Sequence, residues 1–358
     1  MKKQIILLSV IALVVASCGT RSSHGNEGRV VTVTIPPFAW FVEQIGGDDF
    51  KVNVLLPPGA DHHIWEPLPA QISALSGSEA FIMNGQLGFE HAWMDRFRQV
   101  NPDMKVLDLS RNIQLIWPRH PSGIGVSAPL NAEPQSEGLI RQPADEGLKV
   151  GGDESSRPVT GGVTAEDTSA SGHQHEGNES FAEGDGEDHQ GHAHGGPDPH
   201  YWMSPVDARI MARDIRDFLA ELNPSSEGKY DANLAVVNRK IAEVDSVVRA
   251  AVDRGVHKTV LIYHPALAYM GRDYGFEQVS FEDEGKNPSP ARMKELIDLA
   301  RVKEIKIIFI QAEYDVRNAQ SLSRETGTRL VVINPMNPEW PEAVIEVARA
   351  LGGRDFRF

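Results

Sequence analysis

The feature that most constrains the fold is an alternation that occurs twice: short runs rich in β-branched residues, each followed by a longer stretch with helical spacing. In the first half the runs are 29–35 (RVVTVTI), 51–56 (KVNVLL), 80–84 (AFIMN) and 104–109 (MKVLDL), with helix candidates at 67–76 and 87–98. In the second half they are 257–263 (HKTVLIY), 277–281, 305–311 (IKIIFIQ) and 329–334 (RLVVIN), with helix candidates at 290–302, 316–326 and 341–351. Such runs read as buried strands, and their alternation with helices predicts an α/β fold of two lobes, each with a mostly parallel sheet flanked by helices. The halves are joined by helical sequence. Ser204, Pro205 and Asp207 form a helix start, with a capping hydroxyl, proline in the first turn and an early acid. After Asn223-Pro224, the residues Tyr230, Leu234, Val237, Ile241, Val244 and Val248 recur every three or four positions for about five turns. That helix is long enough to pack along both lobes as a stiff connector, with a ligand cleft between them.

The start of the chain is a targeting sequence. Lys2 and Lys3 precede an apolar run of about 12 residues, from Ile5 to Ala16, too short to span a bilayer. The single cysteine, Cys18, ends this run in the context Val15-Ala16-Ser17-Cys18, which resembles a bacterial lipoprotein box in which the cysteine carries lipid. One acylated cysteine tethers a soluble body to a membrane without threading it, so the resemblance implies a membrane-anchored periplasmic lipoprotein. With no second cysteine, disulfides have no part in the fold. The expected organisation is a signal peptide at 1–17, a tether at 18–28, an N-terminal lobe at 29–222, a connecting helix at 223–253 and a C-terminal lobe at 254–358.

The formal net charge of −15 argues against nucleic acid as a partner. Most of it is local: 121–196 carries 14 acidic and 3 basic side chains and one aromatic, Phe181. Such a segment cannot bury enough apolar surface to offset its ordering entropy, so 119–196 is expected to be a disordered insertion in the first lobe. Among its acids lie His173, His175, His189, His192 and His194.

Outside the insertion, His62, His63, His91, His200 and His264 lie near the ends of expected elements. Three have further local logic. His63 is in PPGADHHIWEP, the loop after KVNVLL; His200 is in DPHYWMSP, before the capped helix; His264 ends VLIYH and precedes Pro265. Loops at element ends are where open α/β sheets place ligands, and three imidazoles from separate loops suit Zn2+. Each histidine alone is weak support for this.

The three segments resemble those of the periplasmic metal-binding proteins that feed ABC importers of zinc and manganese, of the zinc-uptake type (the cluster A-I, or cell-adhesion, solute-binding lipoproteins). In that family a PPGAxxHxxEP segment, a DPHxWxxP segment and a histidine after a mid-chain strand each give one ligand. The resemblance runs from about Val30 to Gly352, interrupted by the insertion, and implies His63, His200 and His264 as ligands. It also implies a monomer that delivers zinc to an ABC permease and its ATPase and catalyses no reaction. Two positions stay open. His62 stands where relatives carry proline, so either of the paired histidines can bind; and the fourth ligand is a carboxylate, Asp315 or Glu313, or water. Asp315 is the position that aligns with the aspartate of the manganese proteins. Those proteins commonly have glutamate at the third position; His264 there shifts the preference from manganese to zinc. Trp65 and Trp202, each two residues past a ligand, are candidate apolar walls, and Asp198 is a candidate for orienting an imidazole. The histidine-rich insertion resembles a loop found at this place in zinc-type relatives, which implies an auxiliary zinc-collecting role. The rival functions are a zinc hydrolase, since three histidines and water form a catalytic centre, although no HExxH signature is present, and a metal-independent adhesin.

Overall fold

In the computed structural model of the protein, the residues described are 28–117, 196–255, 257–282, 287–353 and 356. The signal and tether expected at 1–28 and the insertion expected at 119–196 lie, but for their last residues, outside them. Two four-stranded sheets are present, both wholly parallel and built in the same order. In the first, β1 (Arg29–Val33) has β2 (Phe50–Val54) on one side and β3 (Ala80–Met83) on the other, with β4 (Lys105–Asp108) beyond β3. In the second, β5 (Thr259–Ile262) lies between β6 (Glu277–Ser280) and β7 (Ile307–Gln311), with β8 (Arg329–Ile333) beyond β7. The α/β class expected from the apolar runs is therefore observed: every residue of β3 and of β7 is buried, as in strands covered on both faces.

The order reverses beside the first strand of each sheet, between β1 and β3 and between β5 and β7. Loops leaving the carboxyl ends of strands at such a point diverge and open a crevice. His264 stands two residues beyond β5 at this place. Gln311, the last residue of β7, brackets it: the His264 amide donates to Gln311 Oε1 at 3.3 Å and Gln311 Nε2 donates to the His264 carbonyl at 2.7 Å.

The helices are α1 (Pro36–Gly46), α2 (Pro69–Ser76), α3 (Gly88–Val100), α4 (Pro205–Leu222), α5 (Glu227–Asp253), α6 (Ala268–Tyr274), α7 (Pro290–Val302), α8 (Val316–Thr326) and α9 (Trp340–Leu351). Two of them, α1 and α6, were not expected. The sequence of α1, PPFAWFVEQIG, buries Phe38, Ala39, Trp40, Phe41, Val42 and Ile45. Being apolar nearly all round, it has no amphipathic period to read, and its start is set by Pro36 and Pro37 rather than by a capping hydroxyl. α4 begins as expected: the Ser204 side chain accepts from the Val206 amide, with Pro205 in the first turn.

The connector α5 is 27 residues long and turns Tyr230, Val237, Ile241, Val244 and Val248 inward. It packs against α1, α4 and α9. One apolar cluster runs through it from Val31, Phe38 and Phe81 of the first lobe to Trp340, Val344 and Val347 of α9. A second cluster, including Leu261, Val279, Phe281 and Ile308, lies within the later sheet and its helices. Among the described residues no helix is long and apolar enough to cross a membrane.

Candidate metal centre

Four histidines converge. His62, His63, His200 and His264 each offer a nitrogen, and these atoms all lie within 4.8 Å of one another. Three segments deliver them. The 55–68 loop after β2 brings the first two, and the Asp61 carboxylate accepts the His63 amide at 2.9 Å, a tight turn that presents the paired rings with centroids 4.0 Å apart. His200 precedes a 3-10 turn, Tyr201–Met203, that leads into α4. His264 comes from the end of β5. His62, His200 and His264 are buried and His63 is half-buried.

Carboxylates determine how two of the rings are presented. Asp198 Oδ1 lies 2.8 Å from the His200 amide nitrogen and 2.9 Å from its Nδ1. Glu282 Oε1 lies 2.8 Å from Nδ1 of His264, and both of those side chains are under 10% exposed, at 8% and 6%. Ionised carboxylates only accept, so each Nδ1 carries the proton and each Nε2 of the neutral ring is left with a bare lone pair. This tautomer is assigned from the partners. The two Nε2 atoms face each other at 3.3 Å. Two lone pairs at that distance repel unless a cation lies between them, and 3.3 Å is about the separation of two nitrogens that bind one tetrahedral Zn2+ at about 2.0–2.1 Å each. Two further pairs are closer, at 2.7 Å for His63 Nε2 to His264 Nε2 and 2.9 Å for His62 Nε2 to His200 Nε2.

His62 turns its Nε2 towards His200. It is 3% exposed, yet its Nδ1 has no hydrogen-bond partner among the described residues. A buried ring nitrogen in that state costs about 1–3 kcal/mol unless something else occupies it. Burial, with the neighbouring imidazoles His200 and His264 adding to it, holds His62 well below the ordinary histidine pKa; burial also lowers His200, against the opposing pull of Asp198. Both are therefore kept neutral, the form that binds a cation. An all-imidazole donor set of this kind, borderline between hard and soft, fits a divalent transition metal.

The loop before His200 is held from both sides. Asn84, just after β3, donates from Nδ2 to the Pro199 carbonyl at 3.0 Å and accepts from the Tyr201 hydroxyl at 2.6 Å through its own carbonyl. Glu90 in turn fixes this β3–α3 corner: its carboxylate accepts the amides of Asn84 and Gly85, both at 2.7 Å, and the Thr34 hydroxyl at 2.5 Å. Gly85 sits at φ 88°, where a side chain would run into the Asp108 carboxylate.

Of the residues expected at the site, Asp315 is not brought to this group. It caps α8, accepting the Arg317 amide at 2.9 Å, and its exposed carboxylate pairs with the Arg317 guanidinium. Glu313 lies nearer, half-buried and within electrostatic reach of His264 and Asp61, its pKa raised mainly by burial. His91 is exposed on α3. Trp202 is fully buried with its ring 5.1 Å from His200 and 6.2 Å from His62, an apolar floor, whereas Trp65 packs edge-on against Phe89 at 5.0 Å. Cys18 and the histidines at 173, 175, 189, 192 and 194 lie outside the described residues. Glu282 was not foreseen; its signal is only that an acid follows the strand beside the one that ends in His264.

The family model for the periplasmic zinc-uptake complex component A, ZnuA, matches residues 31–346. The chain belongs to this family. Among curated members, the zinc-binding lipoprotein AdcA of Streptococcus pneumoniae is 23% identical over 94% of this chain, and the high-affinity zinc uptake system protein ZnuA of Bacillus subtilis is 23% identical over 93% of it and 88% of its own length. The chain spans about half the length of the AdcA relatives it matches, 56%. In fold, it resembles a crystal structure of a ZnuA with a TM-score of 0.66 and 24% identity, covering 91% of this chain and 98% of that one. It also resembles a periplasmic metal-binding protein of Candidatus Liberibacter asiaticus with a TM-score of 0.63 and 17% identity, covering 90% and 99%.

Proposed function

We propose that this protein is the zinc-capturing subunit of an ABC importer: it takes up one Zn2+ outside the cytoplasmic membrane and passes it to a permease driven by an ATPase. The observation that carries this reading is the meeting of four imidazoles from three separate segments, two of them turned by carboxylates so that bare nitrogens face each other. In this reading His62, His63, His200 and His264 are the ligands, with His62 in the place that a carboxylate such as Asp315 was expected to fill. An all-imidazole site favours Zn2+ over Mn2+, which takes oxygen donors, and the names of the curated relatives point the same way.

Hydrolysis has less support. A catalytic zinc keeps a coordination position for water, whereas four protein ligands close a tetrahedral shell, the pattern of binding. Cys18 is the lipid-bearing residue in this reading, anchoring a periplasmic monomer with lobes at 29–222 and 254–358. The tract of His173, His175, His189, His192 and His194 gathers zinc weakly near the cleft. The test is a competition titration with a zinc-binding dye, together with elemental analysis of the loaded protein. One tight zinc per chain, lost in His264→Ala, is expected; a metal-free protein whose melting temperature ignores both zinc and chelator would contradict the reading.

A further inference from the structure

Tyr269 lies on α6, five residues after His264, and is fully buried. Its hydroxyl donates to the Asp198 carbonyl at 2.6 Å and accepts the Ile116 amide at 3.2 Å. These two segments also bond each other, the Asp198 amide donating to the Ile116 carbonyl at 2.8 Å. One turn along α6, Arg272 lies with its guanidinium 5.0 Å from the Tyr269 ring centre, donates to the Gln114 carbonyl at 2.9 Å and pairs with Asp207 of α4 at 2.8 Å. So the helix that follows His264 grips the segment that carries His200. The peptide held by Tyr269 belongs to Asp198, whose carboxylate orients the His200 ring.

We infer that Tyr269 is a positioning residue of the metal centre: its hydroxyl sets the Asp198–His200 turn at the spacing from His264 at which both Nε2 atoms share one cation. The inference rests on the zinc-binding reading above. The lobe that supplies His264 thereby also fixes the distance to the ligand outside it, and the site is pre-formed before metal arrives. Without the hydroxyl, Asp198 is still tied to Ile116, but the pair loses its direct hydrogen bonds to α6 and is held to it only indirectly, through Arg272. Loss of an outer partner of this kind costs about 10–100-fold in metal affinity.

The experiment compares the unchanged chain with Tyr269→Phe and with Tyr274→Phe, using Co2+ as the probe. Tyr274 is on the same helix, and its hydroxyl donates at 2.6 Å to Asp245 of α5, away from the histidines, so its loss matches the chemistry of the first change. Expected are a drop in Co2+ and Zn2+ affinity of about tenfold or more and an altered d–d absorption spectrum in Tyr269→Phe alone, while both variants lose melting temperature without metal. Affinity and spectrum of Tyr269→Phe equal to those of Tyr274→Phe would overturn the inference and leave the zinc reading intact; absence of Co2+ binding by the unchanged chain would remove both. Should Tyr269→Phe not fold, hydrogen exchange in the unchanged metal-free chain decides: the Ile116 and Asp198 amides are expected to be as protected as in the zinc-loaded chain, and free exchange until metal is added would contradict a pre-formed turn.

Discussion

His62 has an environment that disfavours the charged ring: it is buried, and among the described residues its Nδ1 has no hydrogen-bond partner. Truncation therefore separates ligands from neighbours. His62→Ala is expected to weaken zinc binding by more than the about 10–100-fold that loss of an outer partner costs, whereas Asp315→Ala leaves affinity unchanged and removes only the cap of α8. Isothermal titration and chemical denaturation read the two effects. The acid side of the pH profile follows from the same burial. His62 and His200 have folded pKa values below the unfolded value of about 6.5, so between those limits the unfolded chain binds more protons. The stability that their neutral forms contribute is complete above about pH 6.5 and falls as pH drops through the depressed values, by up to about 1.4 kcal/mol per pH unit for each ring. Melting of the metal-free protein from pH 8 to 5 checks this, and zinc affinity, which needs the same bare nitrogens, is expected to fall below about pH 6. At this scale the sequence was legible in part. The PPGADHHIWEP and DPHYWMSP segments and the His264 position named three histidines that do converge, because local motifs carry their own geometry. Glu282 and the burial of His62 were not legible, since both depend on which loops meet across the molecule.

At the scale of elements, the corner between β3 and α3 shows how a site is held by parts that never touch it. Burial pushes the Glu90 carboxyl up to about 7, while the Thr34 hydroxyl and the amides of Asn84, Gly85 and Leu87 pull it down. Glu90→Gln would turn an amide donor towards one of those donors. The expected cost is about 1–3 kcal/mol of stability, read by urea unfolding, because a buried group loses its partner. Both sheets were legible because their strands are unbroken apolar runs. α1 was not, since helices apolar all round look like strands until their length is known, and α6 has only 7 residues in which to show a period.

For the whole molecule, the apolar cluster that passes from the first sheet through α5 to α9 implies that the lobes do not unfold separately. Ile241, fully buried on α5, is the place to test it: Ile241→Ala is expected to cost about 2–5 kcal/mol and to lower a single calorimetric transition, not to split it. The ends of the insertion are also set by the fold, since Ile116 and Asp198 are hydrogen-bonded to each other. Replacing 119–196 by a short linker is therefore expected to keep the one tight zinc and to abolish any weaker equivalents, measured by calorimetric titration. The charge and composition of that tract set it apart from the rest of the sequence, while the pairing of its flanks was invisible there because 81 residues lie between Ile116 and Asp198. That His62, His63, His200 and His264 close one shell around one zinc is tested most directly by X-ray absorption at the zinc edge of the protein loaded one to one. Four nitrogen scatterers at about 2.0–2.1 Å, with the outer-shell pattern of imidazole, are expected; a first shell of five or six oxygens, or fewer than three imidazoles, would contradict it.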